Sequence, residues 1–306
     1  MLRIGLDADA AMRIRFGITP LGQVSNLMIA IAQDPASVPV SWRSRYATVV
    51  RERELHLLAS LAPPQGYCYC PDFLEPGGAT VEDGLHAVAT TQAERIRQEI
   101  VILTTGYPAA GIPARRTHPI VMRTLDKGER HFAERAAREL HELWTGAFAP
   151  RWPRLRARLE RDVSHRADIV ARSGLAAGIE SVSEQLTWHD GAVVIHDGKR
   201  ATQHTASGLI LSPGLFHSQP AVTLGRTPVL YYQAARDEPS SGLTAELVGV
   251  TRARILAQLR QPQTTTELAT QLYLSPGTVS YHLQILHRAG LVRRNRASHR
   301  VLYQAI

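Results

Sequence analysis

The sequence predicts an α+β chain of two domains. A mainly helical N-terminal domain carries a small β-sheet, and a compact C-terminal module of three helices and a hairpin follows it. Three observations carry this reading. Apolar residues recur at helical spacing from about residue 20 to 179. Short β-type runs replace them between about 184 and 233. A polar stretch at 234–242, holding Pro239 and Gly242, then separates residues 1–235 from a second helical region at 243–306. The first domain is mostly helical to about 182 and β-rich over 183–235.

The elements follow in order. Residues 2–6 and 14–18 read as strands around a short Ala-rich helix capped by Asp7. Residues 41–61, 81–89, 92–104, 129–148 and 152–173 carry helical patterns, with Pro153 in a first turn, where its missing N–H costs nothing. Residues 186–188, 192–196, 208–211, 221–224 and 229–233 read as strands, punctuated by the hairpin dipeptides Asp190-Gly191 and Asp197-Gly198. The longest apolar runs, such as 27–32, fall far short of a bilayer span. The first residues, Met1-Leu-Arg-Ile-Gly-Leu-Asp, lack the apolar stretch and cleavage site of a signal peptide, so the expected compartment is the cytoplasm. Cys68 and Cys70 are too close for an ordinary structural disulfide, which agrees with a reducing environment.

Charge points to a partner. The net charge is +8, and residues 243–306 hold eight arginines against two glutamates, so most of the excess lies in the last fifth of the chain. A basic surface can serve solubility alone, but this clustering suits a module that neutralises phosphates.

Within that module, residues 243–259 read as a first helix with Leu247, Val248, Ile255, Leu256 and Leu259 as its buried stripe. A second, short helix follows, capped by Thr265 or Thr266, with Leu268, Ala269 and Leu272 facing inward. After a tight turn at Tyr273-Leu274, Ser275-Pro276 opens a third helix over 276–289. Its Val279, Leu283 and Leu286 face inward, its Gly277, Ser280, Tyr281, Gln284 and Arg288 outward, and Gly290 stops it. Residues 291–294 and 300–304 read as two strands joined by a basic loop at 295–299. An outward polar helix beside a basic hairpin fits duplex DNA, the helix in the major groove and the hairpin on the flanking backbone or minor groove.

The run Thr266-Glu-Leu-Ala through Leu274-Ser-Pro-Gly-Thr-Val-Ser-Tyr-His-Leu-Gln-Ile-Leu-His-Arg-Ala-Gly-Leu-Val292 resembles the winged helix-turn-helix of the ArsR family of bacterial repressors. Residues 1–233 are similar to a long N-terminal domain that precedes an ArsR-like module in actinobacterial proteins. Gly66-Tyr67, Pro71-Asp-Phe-Leu74, Trp152-Pro153 and Val222-Thr-Leu224 carry that looser likeness. The resemblance implies a homodimer on a pseudo-palindromic operator. Gly277, Thr278, Ser280, Tyr281 and Gln284 are the candidates for base edges. Thr266, Ser275, Arg288, Arg293, Arg294, Arg296, His299 and Arg300 are the candidates for the DNA backbone.

The family's thiolate-sensing members carry a Cys-x-Cys at or just before the recognition helix, and no cysteine follows Cys70 here, so no metal or other cofactor is expected. Cys68 and Cys70, at i and i+2, would share one face of a strand and could share a soft metal; two inert buried thiols are the plainer reading. His141-Glu142 opens like a zinc-protease helix, but Thr145 occupies the place of the second ligand. Gly198-Lys199-Arg200 lacks the spacing of a phosphate loop. No enzyme is expected. Trp144, Phe148 and Trp152 cluster where two long helices meet and mark a candidate effector pocket, with core packing as the commoner explanation. The resulting expectation is a ligand-responsive repressor. A regulator whose N-terminal domain only assembles the dimer, or an enzyme with a regulatory DNA-binding tail, are the alternatives.

Overall fold

Strand β1 (Leu2–Leu6) leads into a one-turn helix α1 (Ala8–Ala11), whose cap Asp7 accepts from the Ala10 N–H at 2.7 Å, and then into β2 (Ile14–Phe16). The computed structural model describes residues 1–67, 69–108, 111–196, 202–217, 219–235, 249–259, 262–297 and 300–305, with only the backbone of Val250, Arg296, Ala297 and Arg300. The chain divides into two compact units, Met1–Ala234 and Ala235–Ile306, and the fold is α+β. Among the described residues no helix is long and apolar enough to cross a membrane.

In the first unit, α2 (Pro20–Gln33), α3 (Val40–Glu52), α4 (His56–Leu61), α5 (Val81–Ala89), α6 (Ala93–Thr105), α7 (Pro119–Leu125), α8 (Glu129–Leu143) and α9 (Trp152–Glu180) build a helical layer. The helix expected over 41–61 is broken, with Glu54 in the left-handed region at φ 54°. The reason is packing. Leu55 and Leu57 would lie about 200° apart on one helix, yet both are buried, and the break turns both inward. Helix α8 runs on through a π-turn (Trp144–Phe148) and a 3₁₀ turn (Ala149–Arg151) into α9, which Gly174 interrupts at φ 85°.

The small sheet expected from sequence is instead two four-stranded sheets. One has the order β3-β4-β1-β5 and the other β2-β6-β8-β7, built from β3 (Leu186–His189), β4 (Ala192–Ile195), β5 (Thr202–Ala206), β6 (Leu209–Gly214), β7 (Ala221–Thr223) and β8 (Val229–Gln233). The N-terminal strands join partners nearly two hundred residues away. Ile4 pairs with Val193 on one side and, in parallel, with His204 on the other; Arg15 pairs in parallel with Ile210. The β3–β4 hairpin turns at Asp190 and Gly191, with φ 48° and 66°, as a primed turn requires. Asp197-Gly198 and Gly198-Lys199-Arg200 lie outside the described residues.

Two cores result. Leu21, Val24, Leu27 and Met28 of α2 are buried with Phe132, Leu140 and Phe148 in the helical layer. Ile4, Val193, Leu211 and Leu230 are buried with Ile179 against the sheets. The polar side of α2 is buried as well and works as a connector. Gln23 donates to the Pro213 carbonyl at 3.0 Å and accepts from the Leu215 N–H at 3.1 Å, while Thr19 and Ser212 share a hydrogen bond at 3.0 Å.

Candidate nucleic-acid interface

The second unit assembles around one apolar core in which Ile255, Leu259, Leu268, Ala269, Leu272, Val279, Leu283, Leu286 and Val292 are buried. Its helices are α10 (Val250–Gln258), α11 (Thr265–Leu272) and α12 (Pro276–Arg288), and its hairpin is β9 (Val292–Ala297) with β10 (Arg300–Ala305). The first helix begins later than the sequence pattern suggests. Gly249 stands before α10 at φ 87°, outside the helical region, and residues 243–248 lie outside those described. The cap of α11 is Thr264, one residue before the expected pair. Its hydroxyl accepts from the Glu267 N–H at 3.3 Å, and the Glu267 carboxylate accepts from the Thr264 N–H at 2.8 Å. Any of three consecutive threonines could cap; only Thr264 stands three residues before Glu267, as a reciprocal capping box demands.

The turn into α12 is tight because Tyr273 takes the left-handed conformation at φ 55°. That places its ring in solvent, 94% exposed, the most exposed large apolar side chain among the described residues of this unit. Ser275 then caps α12, accepting from the Thr278 N–H at 3.1 Å, with Pro276 in the first turn. Gly290 follows the helix at φ 71°, a conformation that suits only glycine without strain.

With Val279, Leu283 and Leu286 turned inward, the opposite face of α12 is presented outward. Gly277, Thr278, Gln284 and Arg288 are exposed, Tyr281 is 62% exposed, and Ser280 is half-buried. Gly277, Ser280, Tyr281, Gln284 and Arg288 recur at three- and four-residue steps, so they share one face. The Ser275 hydroxyl is engaged with Thr278 at 2.8 Å, so its first task is structural. Thr266 is exposed in the first turn of α11, where the positive end of a helix favours phosphate.

The hairpin differs from the sequence expectation in length. The strands run to Ala297 and from Arg300, which pair with each other, where a loop over 295–299 was expected. Polar residues on exposed strands look like loop in sequence because they carry no alternation. Gln263 adds a further pairing, exchanging backbone hydrogen bonds with Tyr303 at 2.8 and 3.0 Å and so tying the hairpin to the helices. Arg293 and Arg294 are exposed on β9; the side chains of Arg296 and Arg300, and His299 altogether, lie outside the described residues. Glu267, held in its capping box, is the one side-chain carboxylate among the described residues of this unit. Among the described residues, the exposed Arg288, Arg293 and Arg294 outnumber that one carboxylate.

Trp144, Phe148 and Trp152 do come together, but as core. Trp144 and Phe148 are buried and stacked at 5.9 Å, and Trp152 meets Trp144 edge-on at 5.0 Å. Trp42 and Phe216 complete the cluster at 4.9 and 6.2 Å from Phe148. A concavity of about 950 Å³ lies elsewhere on the first unit, among Arg53, Leu85, His86, His131, Arg138 and His141. Glu142 is occupied by an ion pair with Arg53. Cys70 is half-buried, its thiol pushed well above the ordinary range by burial and then by the charges of Glu75 and Asp72; Cys68 lies outside the described residues.

Comparison with known families agrees with the geometry of the second unit. Residues 251–295 match a model described as a helix-turn-helix domain, and residues 120–238 match a family of unknown function, DUF5937. No curated protein and no solved structure matches the chain. The matched segment spans α10, α11, α12 and the start of the hairpin. The chain is a DNA-binding regulator that carries a helix-turn-helix.

Proposed function

We propose that the chain is a cytoplasmic, homodimeric transcriptional repressor of the ArsR type. Its α12 reads a pseudo-palindromic operator, and its N-terminal unit senses a small molecule and holds the dimer. The observation that carries this reading is the outward face of α12, polar and bearing exposed Arg288, beside a hairpin bearing exposed Arg293 and Arg294. Gln284 and Tyr281 are long enough to reach base edges, and an amide can make the bidentate contact that selects adenine. Thr266, Arg288 and the hairpin arginines hold phosphates. One such module covers roughly 600–1,000 Å² and a few base pairs, so operator-level affinity calls for two copies. The N-terminal unit is read as non-catalytic, because Thr145 replaces the second histidine of a zinc-protease helix and Glu142 is paired with Arg53.

The test is to enrich duplexes from a random pool with the full chain and to measure protomers per duplex by sedimentation. The reading expects an inverted repeat with half-sites about 10 base pairs apart, or a multiple of that, and two protomers bound. Enrichment of a single, non-repeated site by one protomer would leave DNA binding standing and remove the homodimer.

A further inference from the structure

One group of side chains in the N-terminal unit is buried without the partners that burial demands. Asn26 is 1% exposed, and neither its Oδ1 nor its Nδ2 has a hydrogen-bond partner among the described residues; the buried Nε2 of His217 has none among them either. Leaving such a group unsatisfied costs about 1–3 kcal/mol, so native structures keep few of them. Three carboxylates lie close by. Glu99 pairs with Arg95 at 2.6 Å and accepts from the Phe73 N–H at 2.9 Å. Asp72 accepts from the Leu224 N–H at 2.8 Å. The Glu75 carboxyl group has neither a hydrogen bond nor an ion pair among the described residues, and the charges of Asp72 and Glu99 repel it.

The segments that carry these groups are tied together. Ser25 donates to the Leu74 carbonyl at 2.6 Å, which joins α2 to the 72–75 turn, and Asn26 and Glu75 are the next residues of those two segments. Gly22, one helical turn before Asn26, is pressed against Tyr231, whose hydroxyl lies 2.2 Å from where a Cβ would stand. His217 stacks on the Tyr231 ring at 5.4 Å. Tyr231 in turn feels the charges of Glu75 and Asp72, with Glu75 the stronger. Helix α2, the 72–75 turn, β8 and the loop after β6 therefore meet around the Tyr231 phenol. Asp72 and Glu75 remain partly exposed, which gives the junction a way in from solvent.

We propose that Asn26, Glu75 and His217, gathered around Tyr231, form a binding site for a small organic cation, a primary ammonium or an amidinium. The chemistry follows from the donor set. A carboxyl group with no paired cation, an amide oxygen and an imidazole nitrogen offer acceptors, and an ammonium offers three donors and the positive charge that would hold Glu75 ionised. Among the described residues no three His, Cys, Asp or Glu side chains are grouped to hold a metal ion, so an organic cation fits better than a metal. A role for this site as the effector site rests on the reading of the chain as a ligand-responsive regulator.

The experiment uses the full chain with benzylamine, putrescine and benzamidine as probes and benzyl alcohol as the neutral control, followed by calorimetry and thermal shift. At least one cation binds wild type, benzyl alcohol does not, and Glu75→Gln weakens the cation tenfold or more. Glu75→Gln removes an unpaired carboxyl group and keeps its shape, so it is expected to fold; Glu75→Asp, which keeps the carboxyl group, retains binding. Failure of all three cations, equal binding of benzyl alcohol, or unchanged binding in Glu75→Gln overturns the site. A mobility shift on the same samples separates the two readings. A chain that binds cations through Glu75 but binds no duplex contradicts the regulator, whereas a chain that binds duplex but no cation contradicts only this site.

Discussion

The two units reach stability by different routes. In the second, every core contact is made within a few dozen residues, and the elements are positioned by local devices: the Thr264–Glu267 capping box, the left-handed Tyr273, the Ser275 cap and the Gly290 stop. In the first, β1 and β2 are completed by strands nearly two hundred residues later, and α2 is held by polar bonds to Leu74, Ser212, Pro213 and Leu215. The difference teaches where each unit breaks. A small, locally coded module has little stability beyond its one apolar cluster, while the larger unit depends on close approaches between distant segments.

The largest effect is expected in the small core. Leu283→Ala deletes a fully buried side chain from α12 and should cost about 3 kcal/mol, most of what a unit of this size holds. Calorimetry should show the second unit's transition lost at 37 °C and the first unit's unmoved, with duplex binding abolished. Gly22→Ala tests the other route. A Cβ there would lie 2.2 Å from the Tyr231 hydroxyl and 2.9 Å from its ring carbon, so α2 must move off β8 at a cost of about 2–3 kcal/mol. Only the first unit's transition should fall. A drop in both transitions would mean that the units melt as one and would break the comparison.

A smaller effect comes with pH, and again it divides the units. Burial, then repulsion from Glu99, raises Asp72 from 3.8 to about 7, and burial, then Asp72 and Glu99, raises Glu75 from 4.5 to about 8. The folded unit thus holds more protons than the unfolded chain, and this stability is lost as pH rises through about 7 and 8. Tyr69, Cys70, Tyr231, His217 and Arg95 also surround the junction; burial lowers His217 to about 4, so its contribution is lost as pH falls below 6.5. The first unit should therefore melt lower at pH 8.5 than at pH 6.5, and Glu75→Gln should flatten that dependence. A transition equally pH-sensitive in Glu75→Gln would place the titration elsewhere. The smallest change is at a cap. Thr264→Ala removes half of the capping box and should lower the second unit's stability by about 1 kcal/mol, where Thr265→Ala and Thr266→Ala should leave it nearly unchanged.

The same contrast explains what could be read from sequence. The inward positions Leu268, Ala269, Leu272, Val279, Leu283 and Leu286 were legible, because helical periodicity alone selects them. The cap was misplaced among three threonines, since only the reciprocal bond with Glu267 distinguishes them. Strand β5, Thr-Gln-His-Thr-Ala, carries no apolar run and is fixed by its parallel partner β1, so no local pattern reveals it. The turn at Tyr273 is legible but its exposure is not, because its conformation, not its type, places the ring in solvent. Asn26, Glu75 and His217 are far apart in sequence, each unremarkable alone, and only the packing of α2 against the 72–75 turn and β8 unites them.

The proposed division of labour gives base reading to the outward face of α12 and the DNA backbone to the hairpin arginines. The most direct measurement is the salt dependence of affinity for an enriched duplex and for a random one, in wild type, Gln284→Ala and Arg293→Ala/Arg294→Ala. The double arginine variant should weaken both duplexes alike and reduce the salt slope by about 2, roughly one counterion per phosphate contact. Gln284→Ala should keep the slope and lose about 1–3 kcal/mol on the enriched duplex alone. If Gln284→Ala weakened both duplexes equally, or if the arginine variant lost discrimination with its slope intact, α12 would not be the reading helix.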